Sequence, residues 1–216
     1  MTTTTELIVL NYTKIKDTSI VIHTLSRDFG RRSFIVTVGK AMPMAMFQSL
    51  GILEAEIVEN SKSDLWRARN LSAKYPLEGL RGNLYKNTIA LFMSEVLYRT
   101  IKEGTNEEGL TDWCIRSILT LDAMESDFSN YHLRFLLEFA ITLGFAPCAA
   151  DLEPFAGDDL PYITALLDSS FAEFMLIKLT GEKRNAIANI LLKYISYHCE
   201  SQLNIQSLKI LREIFA

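Results

Sequence analysis

Cysteine is scarce in this chain. Only Cys114, Cys148 and Cys199 occur in 216 residues, and no two form a C-x-x-C pair. A disulfide framework and the usual zinc spacings are therefore excluded, and free thiols are the simplest reading. Five prolines and ten glycines exclude collagen-like and low-complexity classes. The best apolar run, 139–150, falls short of the roughly 18 residues that a membrane span needs. The opening MTTTTE has no basic region, and Leu7–Leu10 is too short for a signal core, so neither secretion nor a membrane partner is expected. No Walker loop, G-x-G-x-x-G or G-x-S-x-G elbow occurs.

What the chain does have is apolar content of 49%, enough for a folded core and against global disorder. Its net charge of −4 argues against nucleic acid only while the chain is taken as a whole. Residues 1–80 carry ten Lys/Arg and eight Asp/Glu, a net of +2, whereas the remainder carries 12 and 18, a net of −6. Any polyanion contact is expected in the first third.

That third reads as strands. Glu6–Tyr12 is an apolar run, Ser19–Ser26 alternates, and Arg32–Gly39 places Phe34, Val36 and Val38 on one face. Leu50–Val58 and the shorter Leu65–Leu71 follow. A turn at 27–30 leaves Gly30 free to take positive φ. Five short strands rich in β-branched residues predict a small closed sheet, with a five-stranded OB-fold as the leading candidate. SH3-like barrels read similarly.

After Pro76 the period changes to 3.6. Helices are predicted over 84–102, 106–124, 129–145, 182–199 and 207–215, with a broken apolar helical stretch at 162–179. The Asp-, Pro- and Gly-bearing stretch 149–161 reads as loop. Thr180 and Lys183 stand at capping-box spacing without the usual Glu. The fold class is α+β: a barrel domain over 1–78 and a helical bundle domain over 79–216.

Catalytic chemistry finds no anchor. His23 sits in a strand, and His132 and His198 in helices, none beside a nucleophile elbow. His198 and Cys199 are neighbours that point about 100° apart on a helix, so they do not share one ion easily. Neither a metal nor a cofactor is expected, and the chain is read as a non-enzyme. The basic residues of the first third say more. Lys14, Lys16, Arg27, Arg31, Arg32 and Lys40 border the strand connections, and Arg67 and Arg69 alternate on the fifth strand and so share a face. Tyr12, Phe29, Phe34, Trp66 and Tyr75 are interleaved with them. Cations that track phosphates, with rings on which bases stack, are the ingredients of single-strand binding; ordinary solvated barrel-edge charge is the bland alternative.

Several segments carry a family resemblance. Leu7–Leu10, Asp17–Val21 and Thr24–Arg31 (TLSRDFGR) resemble the opening of the RecO family of bacterial recombination mediators. Phe47–Glu56 resembles its fourth-strand region, Tyr75-Pro76 its join to the helical domain, and Gln206–Phe215 its last helix. Leu133–Pro147 (LRFLLEFAITLGFAP) is the most specific stretch. The pattern is most similar to the versions found in the Bacteroidetes group.

The resemblance implies an OB-fold followed by a helical domain. It implies a non-enzymatic protein that binds single- and double-stranded DNA and anneals complementary strands. Its implied partners are RecR, RecF and the acidic C-terminal tail of single-strand-binding protein, and its implied site is the cytoplasm, at the nucleoid. A tail receptor needs an apolar pocket rimmed by cations, for which Arg99, Lys102, Arg116, Arg134, Lys178, Lys183, Arg184 and Lys193 are candidates. Two departures stand out. The family's four-cysteine zinc module has only Cys148 as a counterpart, so zinc is expected to be absent. The loop after the third strand, commonly long and basic, is here Lys40-Ala-Met-Pro-Met-Ala-Met46, with one cation and three methionines, Met42, Met44 and Met46. A protein-interaction adaptor whose barrel has lost DNA binding is the competing reading.

Overall fold

The structure, a computed structural model, describes residues 2–39, 42–60 and 62–215. Strands β1 (Thr2–Lys16), β2 (Ser19–Ser26), β3 (Gly30–Thr37), β4 (Ile52–Val58) and β5 (Trp66–Ala73) close into a barrel in the order β1-β2-β3-β5-β4. Every pairing is antiparallel except the short β3–β5 contact, where Phe34 faces Trp66 and Ile35 faces Arg67. This is the five-stranded OB arrangement expected from the strand pattern.

Alternation explains the interior. Leu7 and Val9 of β1, Ile20 and Ile22 of β2, Phe34 and Val36 of β3, and Leu53, Ala55 and Ile57 of β4 form one buried cluster. β1 is longer than its apolar run. Thr2–Thr5 pair with Val58–Ala55, because β-branched threonines suit a pleated ladder as well as valine does. Between Glu54 and Glu56 the β4–β5 register slips, and Asn70 absorbs the bulge at φ 51, a conformation that asparagine tolerates.

The chain divides into two compact units. One runs to Glu78 and takes in Ile101–Ile118; the other comprises Gly79–Thr100 and the chain from Leu119 onward. In the first, the turn between β2 and β3 is fastened to the later segment. The Arg31 N–H donates to the Thr105 carbonyl at 2.8 Å, and the Gly104 N–H donates to the Arg31 carbonyl at 2.8 Å. Asn106 Nδ2 adds a bond to the Arg27 carbonyl at 3.1 Å.

Helices follow as α1 (Glu78–Arg81), α2 (Leu84–Thr100), α3 (Leu110–Ala123), α4 (Tyr131–Thr142), α5 (Ala149–Ala156), α6 (Leu160–Asp168), α7 (Phe171–Leu176), α8 (Gly181–His198) and α9 (Ser207–Ile214). In the second unit α2 packs on α4 and α9, and α8 packs on α4, α5 and α9. Phe92 and Val96 of α2, Leu133, Leu136 and Phe139 of α4, and Ile187 and Ile195 of α8 are all sealed from solvent. The Glu95 carboxylate accepts the Gln206 and Ser207 N–H groups at 3.1 and 2.8 Å, so a side chain of α2 caps α9. Thr180 opens α8 by accepting the Lys183 N–H at 3.1 Å, the spacing noted in the sequence.

One expectation fails: 149–156 is helix, not loop. The Cys148 N–H donates to the Asp151 carboxylate at 3.1 Å, which starts the turn, and Leu152 and Ala156 bury one side of it. The broken stretch that follows resolves into α6 and α7. Its break is a capping box, in which the Ser170 N–H donates to Glu173 at 2.9 Å and the Glu173 N–H donates to Ser170 Oγ at 3.4 Å.

Asp122 holds the start of the second unit together. Its carboxylate accepts the Leu80 N–H at 2.7 Å, and its carbonyl accepts Lys86 Nζ at 3.0 Å, with Lys86 only 4% exposed. Asp122→Ala should cost about 1–3 kcal/mol in denaturant unfolding, since it strands a half-buried donor and removes the carboxylate beside Arg81. Unchanged stability would show that water replaces the carboxylate.

Candidate nucleic-acid interface

The barrel's outward wall is set by strand parity. Val21 and His23 on β2, Ser33, Ile35 and Thr37 on β3, and Arg67 and Arg69 on β5 alternate with the inward-facing core residues. Arg67 stands beside Ile35, which pairs with Val21. Ser19, opposite Thr37, pairs with Lys16 of β1. From β5 across β3 and β2 to β1 is three strand spacings, roughly 14 Å.

The eight cations singled out in the sequence do not share one environment. Arg67 and Arg69 are exposed on one face of β5, and neither meets a carboxylate among the described residues; Glu56, opposite Arg69, accepts Asn70 Nδ2 at 2.8 Å. Lys16 is exposed at the end of β1. Lys14 lies 3.2 Å from Asp17, an exposed pair that holds the ammonium weakly and leaves it available to a phosphate. Lys40 lies outside the described residues.

The other three are committed within the protein. Arg27 is ion-paired to Asp112 and, at 3.4 Å, to Glu6, which also takes Lys74. Its charge is neutralised, and its work is to tie the β2–β3 turn to α3. Arg31 is 4% exposed, and its backbone is held between Gly104 and Thr105. Arg32 is half-buried. Its guanidinium lies flat on the Trp66 indole, 3.5 Å from the ring centroid, and donates to the Asp64 carbonyl at 3.2 Å. Phe29 meets Trp66 and Phe34 edge-on at 5.6 and 5.9 Å, so an aromatic stack closes this end of the barrel.

Sequence reading overlooked Lys62, exposed in the β4–β5 connection. The signal was present in its Asn-Ser-Lys-Ser turn between two strands. At the centre of the wall, His23 bonds Ser33 Oγ through Nδ1 at 2.8 Å and Thr13 Oγ1 through Nε2 at 3.2 Å. Burial first, and then the Arg31 charge, lower its pKa against the opposing pull of Glu103. The imidazole is neutral at pH 7 and adds no charge to the wall.

In the helical unit a groove of about 410 Å³ opens between α8 and α9. Leu192, Leu203 and Leu208 line it, with Lys193, Lys209 and Arg212 as its cations and no carboxylate among the described residues that line it. Of the eight rim candidates read from sequence, Lys193 alone lines this groove. Among the described residues no grouping of three or more His, Cys, Asp or Glu could hold a metal ion, and no helix is long and apolar enough to cross a membrane.

Comparison with known proteins points one way. Residues 81–149 match the family model described as recombination protein O C terminal. The chain is 29% identical to the DNA repair protein RecO of Phocaeicola vulgatus, over 97% of each chain. It is 32% identical to that of Bacteroides fragilis, over 75% of this chain and 68% of the relative. It is 28% identical to that of Flavobacterium johnsoniae, over 98% of each.

Proposed function

Since the chain belongs to the RecO family of DNA repair proteins, we propose that it acts without catalysis, by binding DNA strands on its barrel and annealing them. The carrying observation is the adjacent pair Arg67 and Arg69, exposed on β5 with no carboxylate partner among the described residues, with Lys16 across the same wall. A phosphate that replaces condensed counterions on such groups gains affinity without base specificity. Helping to load recombinase together with RecR, at the nucleoid, belongs to the same reading.

The groove between α8 and α9 supports a peptide partner. Three cations over a leucine floor suit an acidic chain end with an apolar terminal side chain, which is the chemistry of the single-strand-binding protein tail. Double-stranded DNA, engaged by the same phosphate contacts, and RecF complete the partner set.

Binding to an oligo(dT) strand should weaken steeply as salt rises. The double variant Arg67→Ala/Arg69→Ala removes two phosphate contacts, so the log–log salt slope should become shallower by about 1.4. Its unfolding midpoint should stay near that of the wild type, because both side chains are exposed. Undetectable binding by the wild-type chain at low salt would favour the adaptor reading, and an unaltered slope in the variant would move the phosphate contacts elsewhere.

A further inference from the structure

Phosphate contacts alone do not distinguish an unpaired strand from a duplex, because both present the same backbone. The barrel end formed by Arg32, Trp66 and Phe29 has the chemistry to make that distinction. We propose that the Arg32–Trp66 stack is a platform for an unpaired nucleobase, and that it gives the barrel a preference for single strands. The inference rests on the barrel binding DNA and goes beyond it by naming the groups that recognise the base.

Three observations carry it. The guanidinium lies 3.5 Å over the indole centroid, so one of its two faces is already stacked. The Asp64 carbonyl holds one edge of the group at 3.2 Å, which sets its plane before any ligand arrives. Behind it, the edge-on contacts of Phe29 fix the indole against the buried Phe34. A flat cation ordered in this way loses little freedom when a further ring stacks on it. Trp66 packs against the barrel core on one side, but it and Arg32 are both only half-buried, and Leu65 and Lys62 of the adjoining connection are exposed, so part of the stack reaches solvent. Only an unpaired base offers a free π-face to this stack; in a duplex those faces are covered by neighbouring base pairs.

The experiment compares an oligo(dT) strand, an abasic strand of the same length and charge, and a duplex. It uses the full chain carrying Trp113→Phe, so that Trp66 is the only indole. Oligo(dT) should quench Trp66 emission and bind about 5- to 150-fold more tightly than the abasic strand. Arg32→Lys keeps the charge and removes the flat stack. It should lose most of that ratio while the salt slope and duplex affinity stay within two-fold of the parent. Equal affinity for abasic and dT strands, or an Arg32→Lys variant with the ratio intact, would overturn the platform and leave phosphate binding standing. Failure of the parent to bind any strand would overturn both.

Discussion

Gly30→Ala should unfold the barrel unit at markedly lower denaturant concentration, with a loss of about 3–5 kcal/mol. Two causes add. Gly30 sits at φ +58, where a β-carbon costs roughly 1–2 kcal/mol. A Cβ built there would stand 2.1 Å from the Thr105 carbonyl oxygen and 2.7 Å from Asn106 Cα, so backbone must move and the pair of hydrogen bonds between Arg31 and residues 104–105 opens. Gly39→Ala is the matched control. A Cβ there meets nothing within 4 Å, and the change should be neutral within about 0.5 kcal/mol. Equal stability of the two variants would mean that the 104–106 segment does not hold the turn in solution.

Acid should weaken the helical unit through one side chain. His132 is fully buried between Phe92 and Phe215, at ring distances of 5.9 and 6.5 Å, and neither ring nitrogen has a well-formed hydrogen bond. Burial above all, then the Arg184 charge, push its pKa down to about 3, against a weak opposing pull from the Ser129 backbone. The unfolded chain takes up this proton near pH 6.5 and the folded one only near 3. Between those values the unfolded state binds more protons, so stability falls as pH drops below 6.5 and levels off near 3. The full displacement corresponds to roughly 5 kcal/mol. His132→Phe should remove this part of the pH dependence, and the difference between variant and parent curves cancels the carboxylates that both share. Parallel curves from pH 7 to 4 would show the imidazole already satisfied in the folded state.

Much of this fold could be read before the structure, and the exceptions share a cause. β2, β3 and β4 were legible because alternation of period two is a local property of the chain, as was the i, i+2 placement of Arg67 and Arg69 on one face. α2 and α8 were legible for the same reason at period 3.6. The α5 helix was not, because its buried side is only Leu152 and Ala156 and its start depends on a carboxylate that folds back on Cys148. Nor could the fate of Arg27 and Arg31 be read locally. Arg27 finds Asp112 at a separation of 85 residues. Arg31 is closed in by a segment more than 70 residues downstream that carries no periodic signal of its own. The parallel β3–β5 contact that brings Arg67 beside Ile35 is likewise a product of barrel closure.

The route of the backbone restricts how this protein can be made and divided. The first unit is completed by residues up to Ile118, after the chain has already left it for Gly79–Thr100. During synthesis the barrel therefore cannot reach its finished state when residue 78 emerges from the ribosome; the turn at Gly30 must wait for the return strand. The same interlacing means that no single cut yields two self-sufficient halves, and that a gene fragment ending at codon 78 would not travel between proteins as an exchangeable cassette.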